Sequence, residues 1–300
     1  MLKIAYANIF QHPLPEGHRF PMIKYELIPK QLIYQGIITE DNLFEPDFCK
    51  EETILLTHDK TYWNQLKNCS LDKNHVRRIG FPLTKELIER EICLAQGTID
   101  CALFALQFGV SLNVAGGTHH AFTNKGEGFC LLNDFAIAAN YLLHKNLSKR
   151  ILIVDLDVHQ GNGTAEIFKH NPNVFTFSMH GQNNYPFFKE NSDLDIGLPD
   201  GINGNDYLEL LNYHLPKIIA QHKPDFIFYL SGVDILKTDK LGKLNLTIND
   251  CKTRDEVVFR LCKNHEIPVV AAMGGGYSPT IADIVNAHCN TFITAIEIYF

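Results

Sequence analysis

The sequence predicts an α/β fold built on a mostly parallel central sheet, and three observations support this prediction. Apolar runs such as residues 151–154 lack polar alternation, which is typical of strands covered on both faces. Longer segments with apolar residues at helical spacing, such as 84–108, lie between these runs. Polar side chains follow the runs directly, at the carboxyl ends of the strands, where open parallel sheets bind their ligands.

The composition is that of one large globular domain. Of the 300 residues, 45% are hydrophobic and 20% are charged, and no repeat, low-complexity tract or linker divides the chain. We therefore expect residues 1–300 to form a single domain. The net charge of −7, without a cluster of Lys and Arg, argues against a nucleic-acid surface and favours a cationic substrate.

The sequence predicts a cytoplasmic protein. The amino terminus lacks the charged segment and apolar stretch of a secretory signal, and no apolar run is long enough to span a membrane. The eight cysteines are scattered without a CxxC pair, which indicates reduced and mostly buried thiols.

The apolar patterns predict seven strands and eight helices. The strands are expected at residues 3–7, 53–57, 110–115, 151–154, 174–180, 225–234 and 267–273. The helices are expected at 22–34, 60–67, 84–108, 137–144, 164–170, 206–221, 250–264 and from 280 onward. Asn133 and Asp134 are in position to cap the fourth helix, and residues 68–82 are expected to form a surface loop.

The strand at 151–154 leads into a candidate metal site formed by Asp155, Asp157 and His159. Residues two apart in an extended chain point to the same side, so these side chains converge. Two carboxylates and an imidazole suit zinc or iron, and such a site is catalytic when a coordination position stays open. The same pattern also arises from turn and cap chemistry, so other strand ends must decide between the two interpretations.

Three other strands end in groups that suit one shared reaction. The strand at 110–115 leads to His119 and His120, the strand at 225–234 ends at Asp234, and three glycines and Tyr277 follow the strand at 267–273. A histidine can take a proton from water and return it to a leaving amine, and a tyrosine hydroxyl can donate to an oxyanion. With a metal that acidifies water and polarises a carbonyl, this set predicts hydrolysis of an amide.

These motifs resemble those of the zinc-dependent histone deacetylase family, within the arginase/deacetylase fold. The motifs, in the family's order, are Gly116-Gly-Thr-His-His-Ala121, Gly128-Phe-Cys130, Leu132-Asn-Asp134, Asp155-Leu-Asp-Val-His-Gln-Gly-Asn-Gly163, Gly232-Val-Asp-Ile235 and Gly274-Gly-Gly-Tyr277. Residues 236–244 and 254–256 are most similar to the class IV branch and its bacterial relatives. The resemblance covers nearly the whole chain and implies a single-domain, three-layer αβα deacetylase fold.

The resemblance implies a role for each matching position. The ligands of a Zn²⁺ or Fe²⁺ ion would be Asp157, His159 and Asp234. His119 and His120 would be the tandem pair, with His120 as the general base and acid, and Tyr277 would polarise the substrate carbonyl.

The resemblance also implies a second cation site and a substrate channel. Asp155 would accept a hydrogen bond from His119, and it would join other oxygens around K⁺ or Na⁺. Those oxygens are the Ser178 hydroxyl and the backbone of Asp157, His159 and Met179. The acyl-lysine channel would be lined by Gly128, Phe129 and Gly275, with Phe188 on the opposite wall.

Two positions depart from the family pattern. Position 162 is Asn, where many members have an Asp beside the second histidine. An amide carries no charge to stabilise an imidazolium, so we predict a less basic His120 than an Asp would give. The family's arginine in the acetate-release channel has Lys24 as its nearest counterpart.

Several alternatives remain open at this point. Ureohydrolases of the same fold hold two manganese ions, but Gly161 and Leu236 cannot supply ligands for a second ion. An acyl-lysine binding module without catalysis would be expected to have lost the tyrosine or a metal ligand. The substrate is an acyl-lysine protein or peptide, with an acetyl or longer acyl group, or an acetylated polyamine. The class IV likeness brings long-chain acyl groups into consideration.

Overall fold

Eight strands form one sheet at the centre of the molecule, and a computed structural model describes all 300 residues. The strands are β1 (Ile4–Ala5), β2 (Leu43–Phe44), β3 (Val110–Asn113), β4 (Ile151–Asp155), β5 (Val174–Gly181), β6 (Leu194–Leu198), β7 (Phe226–Leu230) and β8 (Val269–Ala272). Their order across the sheet is β2-β1-β3-β8-β7-β4-β5-β6, and all neighbours run parallel. The predicted parallel sheet is therefore confirmed, and no strand is reversed.

Ten helices flank the sheet. They are α1 (Lys24–Tyr34), α2 (Glu51–Ile54), α3 (Lys60–Lys67), α4 (Lys73–Ile79), α5 (Lys85–Phe108), α6 (Asp134–His144), α7 (Asn162–Phe168), α8 (Gly204–His222), α9 (Ile248–Asn264) and α10 (Ile281–Tyr299). Helices α1, α8, α9 and α10 form one packed group, and α5 packs with α3 and α6 in another. None of the ten helices combines the length and apolar character that a membrane span requires.

The central strands β8, β7, β4 and β5 are buried on both faces, as their apolar sequences predict. On β4, Val154 pairs with Phe177 of β5 and Tyr229 of β7, and the next residue, Asp155, pairs with Ser178 and Leu230. One continuous hydrophobic core of 83 buried residues runs from Leu2 to Ala295, so a single core serves the whole chain. All eight cysteines are free thiols and seven of them are buried.

Two predicted elements were wrong. The expected strand at 53–57 is instead the short helix α2 followed by a turn, and its first turn holds Glu51 and Glu52, which favour a helix amino terminus. The expected loop at 68–82 contains α4, which Asp72 caps by accepting hydrogen bonds from two backbone amides.

Two strands at opposite edges of the sheet were not predicted. β2 is only two residues long, and β6 has the sequence Leu-Asp-Ile-Gly-Leu, in which most residues are half-buried or exposed. Edge strands lack the continuous apolar run that marks a buried strand, so the sequence offered little signal for them.

A buried arginine fixes the turn that follows β7. Arg254 on α9 donates hydrogen bonds to the carbonyls of Gly232 at 2.6 Å and Ser231 at 3.3 Å, and it pairs with Asp255 at 2.8 Å. All of these groups are buried. Arg254 therefore holds the backbone that leads directly into Asp234.

Replacing Arg254 with Met should lower the free energy of unfolding by about 3–5 kcal/mol, because the change leaves the Asp255 carboxylate buried without its cation. Chemical denaturation measures this loss. Arg260→Met, at an exposed position of the same helix, is the matched control and should change stability by less than about 0.5 kcal/mol. Equal losses in the two variants would contradict this role for Arg254.

Candidate active site

The predicted site residues meet because their strands are neighbours in the sheet. Strands β3, β8, β7 and β4 lie side by side, and their carboxyl ends face one edge. The segments after β3, β8 and β4 line one cavity of about 40 Å³, which touches His119, His120, His159 and Tyr277. The structure thus brings together residues that are far apart in sequence.

Asp157, His159 and Asp234 form a compact buried cluster. Their candidate ligand atoms lie within 4.8 Å of one another, and no other group of His, Cys, Asp or Glu in the chain has this arrangement. Nδ1 of His159 lies 3.1 Å from Asp157 Oδ1 and 3.1 Å from Asp234 Oδ2. Burial disfavours a charged imidazole, but the two carboxylates outweigh it and raise the pKa of His159 to about 10. The cluster attracts positive charge and fits a divalent cation.

Backbone groups hold the two carboxylates in place. The Gly275 amide donates to Asp157 Oδ2 at 2.8 Å, and the Val158 amide donates to Asp234 Oδ1 at 3.0 Å. A Cβ atom at Gly275 would lie 2.0 Å from Asp234 Oδ2, so only glycine fits there. One nitrogen and two carboxylate donors suit Zn²⁺ or Fe²⁺ and leave coordination positions for water and substrate.

The two adjacent histidines have different partners. The His119 Nδ1–H group donates to Asp155 Oδ2 at 2.7 Å, and the His120 Nδ1–H group donates to Asn162 Oδ1 at 2.6 Å. Burial acts to lower the pKa of His119, but the charge of Asp155 outweighs it and the pKa is raised. Burial, with His119 and His159 nearby, lowers the pKa of His120 well below its ordinary value, and the Asn162 bond offsets little of this. His120 is therefore the histidine that is neutral and able to accept a proton.

Tyr277 lies across the cavity from these groups. Its backbone amide donates to Asp239 Oδ2 at 2.6 Å, and its ring centroid is 6.4 Å from that of His159. The hydroxyl makes no hydrogen bond within the protein. Burial, with Asp234 nearby, raises the pKa of Tyr277 well above its ordinary value, so the hydroxyl keeps its proton and can donate it to a ligand.

The channel wall is built around a tight turn at Gly128 and Phe129. Gly128 has a φ of +53°, and a Cβ atom there would lie 2.6 Å from the His120 ring. The Phe129 ring borders the cavity at 6.1 Å from the Tyr277 ring. Tyr185 stands edge-on to His120, with ring centroids 4.9 Å apart.

Phe188 is not in the channel wall, contrary to expectation. Its side chain is 92% exposed, whereas Tyr185 from the same loop reaches His120. Tyr185, Phe187 and Phe188 are close together in the sequence, but the sequence does not show which of them points toward the cavity.

The residues expected to hold K⁺ or Na⁺ lie on β4, in the loop that follows it and on the neighbouring strand β5. Asp155 and Ser178 are paired across β4 and β5, and Asp155 Oδ1 accepts a hydrogen bond from the Asp157 amide at 3.2 Å. Ser178 Oγ lies 2.9 Å from Nδ1 of His180, and Met179 is fully buried. The placement of these side chains is compatible with the expected site.

Basic residues lie at the inner end of the cavity. Sequence analysis did not identify Arg90, and it gave Lys24 only as the nearest counterpart of the family's arginine. Arg90 of α5 and Tyr25 of α1 line the cavity. Nζ of Lys24 is buried and donates to the Gly274 carbonyl at 2.8 Å, and burial lowers the pKa of Lys24 to about 8. Arg90 and Glu91 were detectable as charged residues on the buried face of an amphipathic helix, between Leu87 and Leu94.

Comparison with known proteins places this geometry in a family. The model of the histone deacetylase domain matches residues 18–292. An uncharacterized protein of Picosynechococcus is 42% identical over 296 residues, which is 99% of both chains. Histone deacetylase 2 of Arabidopsis thaliana is 28% identical over 89% of this chain and 72% of its own length. Acetoin utilization protein AcuC of Staphylococcus aureus is 25% identical over 98% of this chain and 82% of its own.

Solved structures share the fold. A crystal structure of an HDAC homologue complexed with SAHA superposes with a TM-score of 0.85 at 24% identity, over 99% of this chain and 84% of that one. An HDAC homologue from Aquifex aeolicus superposes with a TM-score of 0.83 at 24% identity, over 97% and 82% of the two chains.

Proposed function

The chain belongs to the histone deacetylase family, and from that premise we propose that it removes an acyl group from the ε-amine of lysine by metal-dependent hydrolysis of the amide. The observation that supports this most directly is the arrangement of His120, the Asp157–His159–Asp234 cluster and Tyr277 around one cavity. We further propose that residues 1–300 act together as one catalytic domain.

The proposed reaction adds water across the amide bond and releases a carboxylate and the lysine amine. A Zn²⁺ or Fe²⁺ ion held by Asp157, His159 and Asp234 would supply Lewis acidity, which favours ionisation of water and polarises the amide carbonyl. His120 accepts the proton of the attacking water and then donates it to the leaving amine. Because its pKa is lowered, the His120 imidazole is unprotonated and free to accept that proton.

The other polar groups act on charge and position. The Tyr277 hydroxyl donates a hydrogen bond to the carbonyl oxygen as negative charge develops there. Asp155 lies 2.7 Å from His119 and raises the pKa of this imidazole against the effect of burial, which favours its charged form beside the same oxyanion. Asp155 and Ser178, with backbone of Asp157, His159 and Met179, would hold K⁺ or Na⁺ beneath this pair.

The size of the inner cavity favours a short acyl group. A volume of about 40 Å³ holds roughly three waters, which is close to the size of an acetyl group and far below that of a fatty-acyl chain. The polar Arg90 and Tyr25 at its inner end would also lose solvation against an apolar tail. Acetyl-lysine is therefore the substrate that this cavity suits best.

No structural observation favours either of the two alternatives, a two-metal ureohydrolase or an acyl-lysine binding module without catalysis. A second metal would need ligands that Gly161 and Leu236 do not provide. A binding module without catalysis has no need of a proton-accepting His120 or of an unpaired Tyr277 hydroxyl at the same cavity.

A hydrolysis assay tests the proposed function. Zinc-loaded protein should hydrolyse acetyl-lysine peptide faster than myristoyl-lysine peptide, and a chelator should abolish turnover. Tyr277→Phe should lower kcat by roughly 100- to 1000-fold, because it removes one oxyanion donor. Tyr34→Phe makes the same change at an exposed position at the end of α1, so it is the matched control and should keep kcat within a few-fold. Absence of turnover of every acyl-lysine peptide by zinc- or iron-loaded protein would refute the proposal.

Asn162→Asp should shift the acidic limb of the kcat/KM profile to higher pH by roughly one unit or more. A carboxylate beside His120 raises the pKa of its imidazole, and a general base must be deprotonated to act, so activity then requires a higher pH. The profile is measured against Asn249→Asp, which adds the same charge at an exposed position of α9. An acidic limb that stays in place would contradict the role given to Asn162.

A further inference from the structure

The entrance to the active-site cavity is bordered by basic side chains. An opening of about 380 Å³ leads to His120 and Tyr277, and Arg19, Arg78 and Lys243 line it. The lining includes no Asp or Glu. A chain with a net charge of −7 therefore presents basic side chains at the opening that leads to its candidate active site.

These positive charges are available to a ligand. Arg19 and Arg78 are exposed and form no ion pair, and Arg19 lies over the Phe129 ring at 5.0 Å. Lys243 is 3.8 Å from Asp200, at the limit of an ion pair, and both side chains are about half exposed. Another acid beside the channel, Glu127, has partners of its own.

Glu127 cannot offset the basic entrance because its own charge is satisfied. It accepts a hydrogen bond from the Tyr185 hydroxyl at 2.9 Å, and it pairs with Lys125 at 3.0 Å. The pair of Glu127 and Lys125 contributes no net charge. The entrance therefore keeps the unpaired charges of Arg19 and Arg78, together with Lys243, whose charge is only partly offset by Asp200 at 3.8 Å.

The segments that carry Arg19 and Arg78 are anchored to the channel wall. The Arg78 carbonyl accepts a hydrogen bond from the Gly128 amide at 3.0 Å, which ties the end of α4 to the channel wall. Arg19 precedes Phe20, whose ring packs 5.2 Å from that of Phe129. The charges thus come from separate segments and surround a common opening.

An exposed aromatic residue adds an apolar contact at the same rim. Phe187 lines the opening and is 86% exposed, and the adjacent Phe188 is 92% exposed. Large exposed aromatic groups at the edge of a site are typical of surfaces that bind a peptide or protein. A small diffusible amide has no need of them.

We propose that the substrate presents its acyl-lysine within an acidic segment of a polypeptide, which Arg19, Arg78 and Lys243 select over cationic amides. This inference rests on the proposed deacylase function. Carboxylates that flank the acyl-lysine are attracted to the basic rim, and the Phe187–Phe188 pair contacts the apolar residues of the segment. An acetylated polyamine is repelled, because its remaining amines are ammonium ions at neutral pH.

The test compares four substrates of the metal-loaded protein. Three peptides of equal length carry a central acetyl-lysine flanked by Glu, Gln or Lys, and the fourth substrate is an acetylated polyamine. We expect kcat/KM to fall from the Glu peptide to the Gln peptide to the Lys peptide, with the polyamine lowest. Each flanking charge should contribute roughly 2- to 5-fold at low salt, and the differences should shrink at about 0.5 M salt.

A charge-reversal pair identifies the residues responsible. Arg78→Glu should remove most of the preference for the Glu peptide, measured as the ratio of its kcat/KM to that of the Gln peptide. Arg150→Glu makes the same change immediately before β4, at the opposite edge of the sheet, and should retain the full preference.

Each failure has a distinct meaning. If all peptides are hydrolysed but the Lys peptide or the polyamine matches the Glu peptide, the selection by charge is wrong and the deacylase function stands. A preference for the Glu peptide that survives in Arg78→Glu and in the equivalent variants of Arg19 and Lys243 also overturns the inference. No turnover of any peptide removes the proposed function and the inference with it.

Discussion

Two buried carboxylates held close together are the constraint on which the rest of this structure depends. Asp157 and Asp234 both lie 3.1 Å from the same nitrogen of His159. Burial and the charge of Asp157 raise the pKa of Asp234 to about 7, a measure of how unfavourable the pair is by itself. Several features compensate for this unfavourable pair of carboxylates. They are the hydrogen bonds from the amides of Val158 and Gly275, the absence of a Cβ atom at Gly275, and the turn held by Arg254. A divalent cation would complete the compensation.

The same buried setting gives the two adjacent histidines, His119 and His120, pKa values shifted in different directions. They are adjacent in sequence, with ring centroids 4.0 Å apart, yet one is paired with a carboxylate and the other with an amide. The charge of Asp155 raises the pKa of His119 against the effect of burial, whereas burial, together with the neighbouring His119 and His159, lowers the pKa of His120. The difference between the partners, a carboxylate at Asp155 and an amide at Asn162, therefore helps to shift the pKa values of two identical side chains in opposite directions.

A structural feature could be predicted from the sequence only where a local pattern of residues indicates it. Buried parallel strands give continuous apolar runs, so the sequence predicts the central sheet. It also predicts that the residues at the strand ends converge, namely Asp157, His159, Asp234 and Tyr277. Helix α4 could not be predicted in this way, because Ile79 is its only buried residue, although the helix supplies Arg78 to the entrance. Which aromatic residue contacts His120, Tyr185 or Phe188, depends on how one loop folds. The basic entrance depends on three separate segments that only the tertiary structure brings together.

The most direct test of the central claim is to titrate chelated protein with Zn²⁺ or Fe²⁺ while measuring both bound metal and hydrolysis of an acetyl-lysine peptide. One cluster of three ligands predicts that both signals rise together and saturate at one ion per chain. In Asp234→Asn both should be lost over the same range, while Asp206→Asn, an exposed carboxylate, should leave them unchanged. Full activity without metal, or saturation at two ions per chain, would contradict the account.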